Sequence, residues 1–184
     1  TRIYWTFKVL GHDNVSILNG GMTAYTKDID QKTKQPLNPL AKGLVKLEPK
    51  TFKANLRNEM IVGKADIQKA KESGITIVDN RPNDHFIGIN RHPLAKRSGT
   101  IPGAKSIPES WLTQNGGGVF RSKADLTKIY NISKVKPDEA QINFCNTGHW
   151  ASLGWFVGHE IMGNKNVRMY DGSMVEWSGD ANLP

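Results

Sequence analysis

The sequence has 184 residues, 38% hydrophobic and 23% charged, with Lys+Arg 25 against Asp+Glu 17 for a formal charge of +8. That composition can bury a core, and no run of about 18 apolar residues offers a membrane span. A single cysteine, Cys145, rules out an intramolecular disulfide framework and a cysteine-clustered zinc site. The basic balance favours small anions or an acidic partner. Lys and Arg are scattered, without a basic helix or aromatic-basic alternation, so nucleic acid is not indicated. The chain opens at Thr1 directly on a helical, aromatic segment, which reads as a processed or nicked piece.

Residues 1–10 (TRIYWTFKVL) predict a helix that closes at Gly11, a residue suited to a left-handed cap. Residues 15–18 (VSIL) predict a short strand, and Asn19-Gly20-Gly21 a turn. Residues 26–51 are polar and Lys-rich with three prolines, the composition of an interdomain linker. The chain therefore divides into residues 1–26, a linker over 27–51, and a full unit over 52–184.

Within that unit, residues 65–73 predict a short amphipathic helix, and Ile75–Asp79 a continuous apolar strand of the buried parallel kind. Residues 82–118 read as loop-rich. Ser122 is placed to cap a helix over Lys123–Ile132, with Asp125 completing an acidic form of the capping box. Gln141–Cys145 predicts a second buried strand, followed by a helix over Ala151–Met162, a stop at Gly163 and a strand over 167–170. Strands alternating with helices predict an α/β fold with a parallel sheet.

The chain also repeats itself. At an offset of 152, Gly11, Asn14, Val15, Gly20 and Met22 coincide with Gly163, Asn166, Val167, Gly172 and Met174, five identities in fifteen positions. Trp5 matches Trp155 at an offset of 150. The first 26 residues thus read as the end of a first repeat and the rest as a complete second one. Trp5, Trp155 and Trp177 recur with the repeat and are read as core, whereas Trp150 does not recur and is read as functional.

Cys145 stands between a strand and a helix, separated from the helix by Asn146-Thr147-Gly148-His149-Trp150. Ligands of open α/β sheets collect at strand carboxyl ends, where helix N-termini present unpaired N–H groups. A cysteine there gains thiolate character, and Gly148 lets the loop curl its N–H groups inward as an anion nest. A cysteine phosphatase needs Arg six positions on, but Ala151 is there, so phosphate-ester hydrolysis is not expected. A Cys–His protease stays open, since its base could come from elsewhere in the chain. Asp79 and Arg81 read as structural, Arg81 pairing a nearby carboxylate and Asp79 capping turn N–H groups. His12, His85, His92, His149 and His159 show no metal-ligand spacing, so no metal site is expected. Residues 83–99, with Arg91, His92, Lys96 and Arg97, read as a solvated basic loop.

Gly99-Thr100-Ile101-Pro102-Gly103-Ala104, Asp79-Asn80-Arg81, the Cys145 loop, and Asp171-Gly172-Ser173 with Glu176-Trp177 together resemble the tandem rhodanese family of thiosulfate or 3-mercaptopyruvate sulfurtransferases. The resemblance covers 52–177 as a catalytic domain and 1–25 as the end of a preceding, non-catalytic one. It implies a central parallel five-stranded sheet flanked by helices, and sulfur transfer through a persulfide on Cys145. The donor would be a small anion, thiosulfate or 3-mercaptopyruvate, and the acceptor a thiol or cyanide, with no cofactor. A rhodanese-like carrier module that hands persulfide to a partner protein is the alternative.

The resemblance implies a substrate-binding role for Asn146, Thr147, Gly148, His149, Trp150 and Ala151, and for His85, which occupies the position of the family's substrate-gripping Arg. Asn146 and Thr147 stand where thiosulfate-preferring members often carry Arg and Lys, while Thr147-Gly148 fits half of the mercaptopyruvate pattern, so the donor stays open. A complementary N-terminal polypeptide is expected to complete the first repeat. A periplasmic location is expected, with a cytosolic one also open.

Overall fold

The computed structural model describes residues 1–38, 40–115 and 118–184. Five helices and strands open the chain in the order α1 (Arg2–Val9), α2 (Gly21–Lys27), β1 (Ile61–Val62), α3 (Lys64–Glu72) and β2 (Thr76–Asp79). The chain continues through α4 (Asn83–Phe86), β3 (Lys105–Ser106), α5 (Lys123–Ile132) and β4 (Gln141–Phe144). It ends with α6 (His149–Phe156), a π-helical turn over Val157–Ile161, β5 (Val167–Tyr170) and α7 (Ser173–Gly179).

The strands form one sheet in the order β1-β5-β4-β2-β3, every neighbour parallel. Parallel neighbours need long crossovers, here made through α3, α5 and α6. Both sheet faces are covered, so the strands read as apolar runs, and the two-residue alternation sorts their side chains. Ile77, Ile142, Phe144 and Tyr170 pack on one face with Ile67 of α3 and Trp177 of α7. Val78 faces the other side, toward Leu126 and Tyr130 of α5. Val167, Met169 and Cys145 share that second side with Trp155 of α6 and Trp5 of α1. The strand ends bring Asp79, Ser106, Phe144 and Tyr170 to one carboxyl edge, where the functional loops collect.

α6 is apolar around its whole circumference because it lies between the sheet and α1. Tyr4 meets Phe156 edge-on at 5.0 Å between ring centroids, and Trp5 and Val9 are buried below. The first residues of the chain therefore share a core with the unit that follows residue 52. The segment between is exposed over 40–56, and returns to α1 through Asn55 N–H to Leu10 C=O (2.9 Å) and Arg57 N–H to Val9 C=O (2.8 Å).

Several elements differ from the sequence reading. Residues 15–18 alternate half-buried and exposed as an edge strand would, yet they form no ladder, because no described strand lies beside them. The helix after Cys145 starts at His149 rather than Ala151, and its last turn widens into the π form, with Met162 N–H reaching Val157 C=O at 2.8 Å. Residues 82–118 hold α4 and β3 among their loops, and β1 adds a further two-residue strand.

The α5 cap follows the sequence closely. Asp125 N–H donates to Ser122 Oγ at 3.1 Å and Ser122 Oγ–H donates to Asp125 Oδ2 at 2.8 Å. Ser122→Ala is expected to lower stability by about 1 kcal/mol. A urea midpoint that falls at unchanged slope supports this cap; an unchanged midpoint contradicts it.

Candidate active site at the carboxyl edge of the sheet

Cys145 follows directly on β4, and its backbone is tied to the start of α7. Its N–H donates to Ser173 Oγ (3.0 Å), its C=O accepts from Met174 N–H (3.0 Å), and Asn146 C=O accepts from Val175 N–H (3.1 Å). These bonds use the carbonyls and leave the next donors free. None of the N–H groups of residues 146–151 has an acceptor among the described residues. Three belong to the first turn of α6, whose N–H groups are unpaired by construction; the other three are contributed by the loop. Six consecutive unpaired donors next to a cysteine are the kind of arrangement that can cradle an anion.

Gly148 makes this curvature possible. Its φ is +82°, and an added Cβ would stand 2.1 Å from Asp171 Oδ1 and 2.7 Å from an Arg2 guanidinium nitrogen. Those two atoms belong to a bidentate ion pair between α1 and the turn after β5, its second arm running from Arg2 Nη2 to Asp171 Oδ2 at 2.9 Å. Arg2 also lies over the Trp5 ring, 5.0 Å from its centroid. The residue 169 positions away in sequence thus braces the outside of the loop.

Cys145 itself is 1% exposed, on the side of the sheet shared with Trp155 and Met169. Ala151 is fully buried behind it. The rim is polar and aromatic. His85 Nδ1 lies 3.5 Å from Asn146 Nδ2, and its ring stands edge-on to Trp150 at 6.4 Å. His149 and Trp150 are exposed, with Thr147 Oγ1 3.3 Å from His149 Nδ1. Glu109, just beyond β3, is half-buried with Oε2 unpartnered among the described residues, and burial pushes its carboxyl above the usual range.

The structure brings His85 together with Asn146 and Trp150, and sets Asp79 and Arg81 apart as support. Arg81 is 2% exposed and donates through Nη2 to Asp79 Oδ2 (2.6 Å) and through Nε to Oδ1 (2.9 Å). Asp79 Oδ1 also takes the Arg81 N–H (2.9 Å), Oδ2 takes the Thr100 hydroxyl (2.7 Å), and Arg81 Nη2 reaches Gly99 C=O (2.7 Å). This pair pins the 99–100 loop to the end of β2.

One reading of the basic loop is corrected. Arg97 is half-buried, with hydrogen bonds to the carbonyls of Asp180 (3.0 Å) and Leu183 (2.8 Å), because the segment after α7 is folded against it and offers those acceptors. Arg2, Glu109 and Ser173 also stand around the loop, and of these only Ser173 carries a local sequence signal, within Asp171-Gly172-Ser173.

The family model of the rhodanese-like domain matches residues 64–180. A protein of Haloferax volcanii named a putative thiosulfate sulfurtransferase is 35% identical over 188 residues, covering 98% of this chain and 62% of its own length. A protein of Thermus thermophilus named sulfur carrier protein TtuD is 31% identical, covering 98% of this chain and 64% of its own. The crystal structure of Tum1 from Saccharomyces cerevisiae matches with a TM-score of 0.75 at 26% identity, over 96% of this chain and 61% of that one. The chain thus spans about three fifths of the length of these relatives.

Gly148→Ala is expected to cost about 1–2 kcal/mol from its backbone conformation alone, and more as the Arg2–Asp171 pair is displaced. A variant as stable as the wild type in urea contradicts the close approach. Asp79→Asn leaves the Arg81 charge buried without its partner and is expected to cost about 3–5 kcal/mol by the same measurement.

Proposed function

The chain belongs to the rhodanese-like family, and from that membership we propose that it is a sulfurtransferase working through a persulfide on Cys145. The observation that carries the reading is the row of six unpaired N–H groups, residues 146–151, beside a cysteine at the carboxyl end of β4. The Cys145 thiolate attacks the outer sulfur of a small anionic donor. With thiosulfate, the sulfur–sulfur bond of the donor breaks and sulfite leaves with the electron pair. A Cys–S–S⁻ anion remains, stabilised by preorganised donors that need no reorientation when the charge arrives. A thiol or cyanide acceptor then attacks the outer sulfur, and the Cys145 thiolate is the leaving group. With 3-mercaptopyruvate, a carbon–sulfur bond breaks instead and pyruvate is released after protonation.

The burial of Cys145 supports this chemistry, because a persulfide held away from bulk water survives until an acceptor reaches it. His85, Asn146, Thr147, His149 and Trp150 form the rim through which donor and acceptor pass. Neither Asn146 nor Thr147 supplies a charge there, so recognition of the anion falls to the backbone N–H groups, with His85 at the rim.

A second reading, a carrier that holds persulfide for a partner protein without fast turnover, is favoured by the similarity to the Thermus protein named a sulfur carrier. Both readings require the same intermediate, and turnover separates them.

Residues 1–26 are proposed to be the close of a first repeat. α2 (Gly21–Lys27) and α7 (Ser173–Gly179) correspond residue for residue at the offset of 152, and Gly21 (φ +57°) and Ser173 (φ +52°) share the same left-handed backbone. Leu18 and Met22 are 55% and 57% exposed, while their counterparts Tyr170 and Met174 are 0% and 2% exposed. This difference supports a polypeptide carrying the rest of that repeat as the cover for this apolar face.

The intermediate is tested by incubating the protein with thiosulfate or 3-mercaptopyruvate and measuring its intact mass. The expected result is a gain of one sulfur that cyanide removes and that Cys145→Ser abolishes. No sulfur adduct with either donor would sink both sulfur readings. Steady-state turnover with cyanide as acceptor supports the enzyme; an adduct without turnover supports the carrier.

A further inference from the structure

The turn after β5 contains a residue that its own backbone disfavours. Ser173 has φ +52°, a left-handed conformation that is strained for a side chain, and it is fully buried. Its counterpart in the first repeat, Gly21, makes the same turn at φ +57° without strain. The turn as such therefore calls for glycine. What serine adds is a hydroxyl, and both of its hydrogen bonds are satisfied: Oγ accepts the Cys145 N–H at 3.0 Å and donates to Tyr170 C=O at 2.9 Å.

These two bonds have a place in the sheet. The ladder between β4 and β5 ends at Asn143 opposite Met169. Beyond it, the Cys145 N–H and the Tyr170 C=O would face each other across a widening gap. The Ser173 hydroxyl stands between them, so the ladder continues through a side chain. Met174 N–H to Cys145 C=O at 3.0 Å fixes the other side of the same residue.

We infer that Ser173 is a positioning residue for the Cys145 nucleophile, its hydroxyl bridging the ends of β4 and β5 so that the thiol-bearing carbon is held against the 146–151 donors. The inference rests on the sulfurtransferase reading and adds to it a determinant of how the nucleophile is activated. The charged and titratable groups around the loop are Arg2 from α1, Asp171 beside Ser173, His85 from α4, His149 from α6 and Glu109 beyond β3. Ser173 has no side-chain hydrogen bond to any of them among the described residues, so replacing it leaves those charges in place.

The test is the rate of carbamidomethylation of Cys145 by iodoacetamide, followed by intact mass across pH, in the wild type and in Ser173→Gly. Glycine relieves the strain but leaves the buried Cys145 N–H and Tyr170 C=O without this partner, so the variant is expected to fold and to unfold at a modestly lower temperature than the wild type. Without the hydroxyl, the thiolate loses alignment with its donors. Its reaction at neutral pH is expected to slow about tenfold and the pH profile to move upward by about one unit. A Ser173→Gly profile that overlays the wild type would overturn the inference, because shape alone would then explain the serine. A glycine variant that fails to fold would overturn it equally, by assigning the hydroxyl to the fold. Alkylation needs no sulfur donor, so failure of the sulfurtransferase reading would show separately, as a wild-type protein that takes up no sulfur.

Discussion

The hydrogen bonds that join the end of β4 to the first turn of α7 set the geometry on which the rest of the site depends. Carbonyls of Cys145 and Asn146 are occupied by N–H groups of Met174 and Val175, and the Cys145 N–H by the Ser173 hydroxyl. With its acceptors spent on α7, the loop cannot fold its own donors back onto itself. The N–H groups of 146–151 are left without acceptors among the described residues. An unpaired buried donor is costly, and one that waits for an anion recovers that cost when the anion binds.

The neighbouring elements preserve this arrangement from different directions. Arg2 and Asp171 press on the outside of Gly148, and α1 packs on α6 through Tyr4, Trp5 and Val9. Asp79 and Arg81 form a buried pair with further bonds to Thr100 and Gly99. Such a pair adds little net stability over an apolar replacement, but breaking it is costly, so its main effect is to fix a loop. Gly154 of α6 belongs to the same design: a Cβ there would stand 2.2 Å from Asn80 Oδ1, and its absence lets the helix approach the end of β2. Cys145 is thereby tied to strand and helix ends rather than carried on a free loop.

Much of this was legible in the sequence wherever the signal was local. The Ser122 cap, the buried runs of β2, β4 and β5, and the position of Cys145 before a Gly-containing loop all follow from residues within a few positions of each other. β1 and β3 were not legible, since two residues carry no period. VSIL has the residues of a strand at 15–18, but a ladder needs a neighbour, and none of the described strands supplies one. The Arg2–Asp171 brace joins residues 169 apart and leaves no local trace. Ser173 was visible as part of a motif, yet its left-handed backbone is a tertiary effect that overrides the preference of a side chain. Arg97 carries no local sign of its burial, because its acceptors, the carbonyls of Asp180 and Leu183, are brought to it only by the fold.

In the proposed function, the backbone N–H groups of 146–151 hold the transferred sulfur as an anion on Cys145. Amide proton and nitrogen chemical shifts, followed as thiosulfate or 3-mercaptopyruvate is added, test it at those residues directly. The expected result is a set of downfield amide shifts confined to 146–151 and their neighbours, appearing with sulfur uptake and reversed by cyanide. Sulfur uptake that leaves these amides unmoved would contradict the claim.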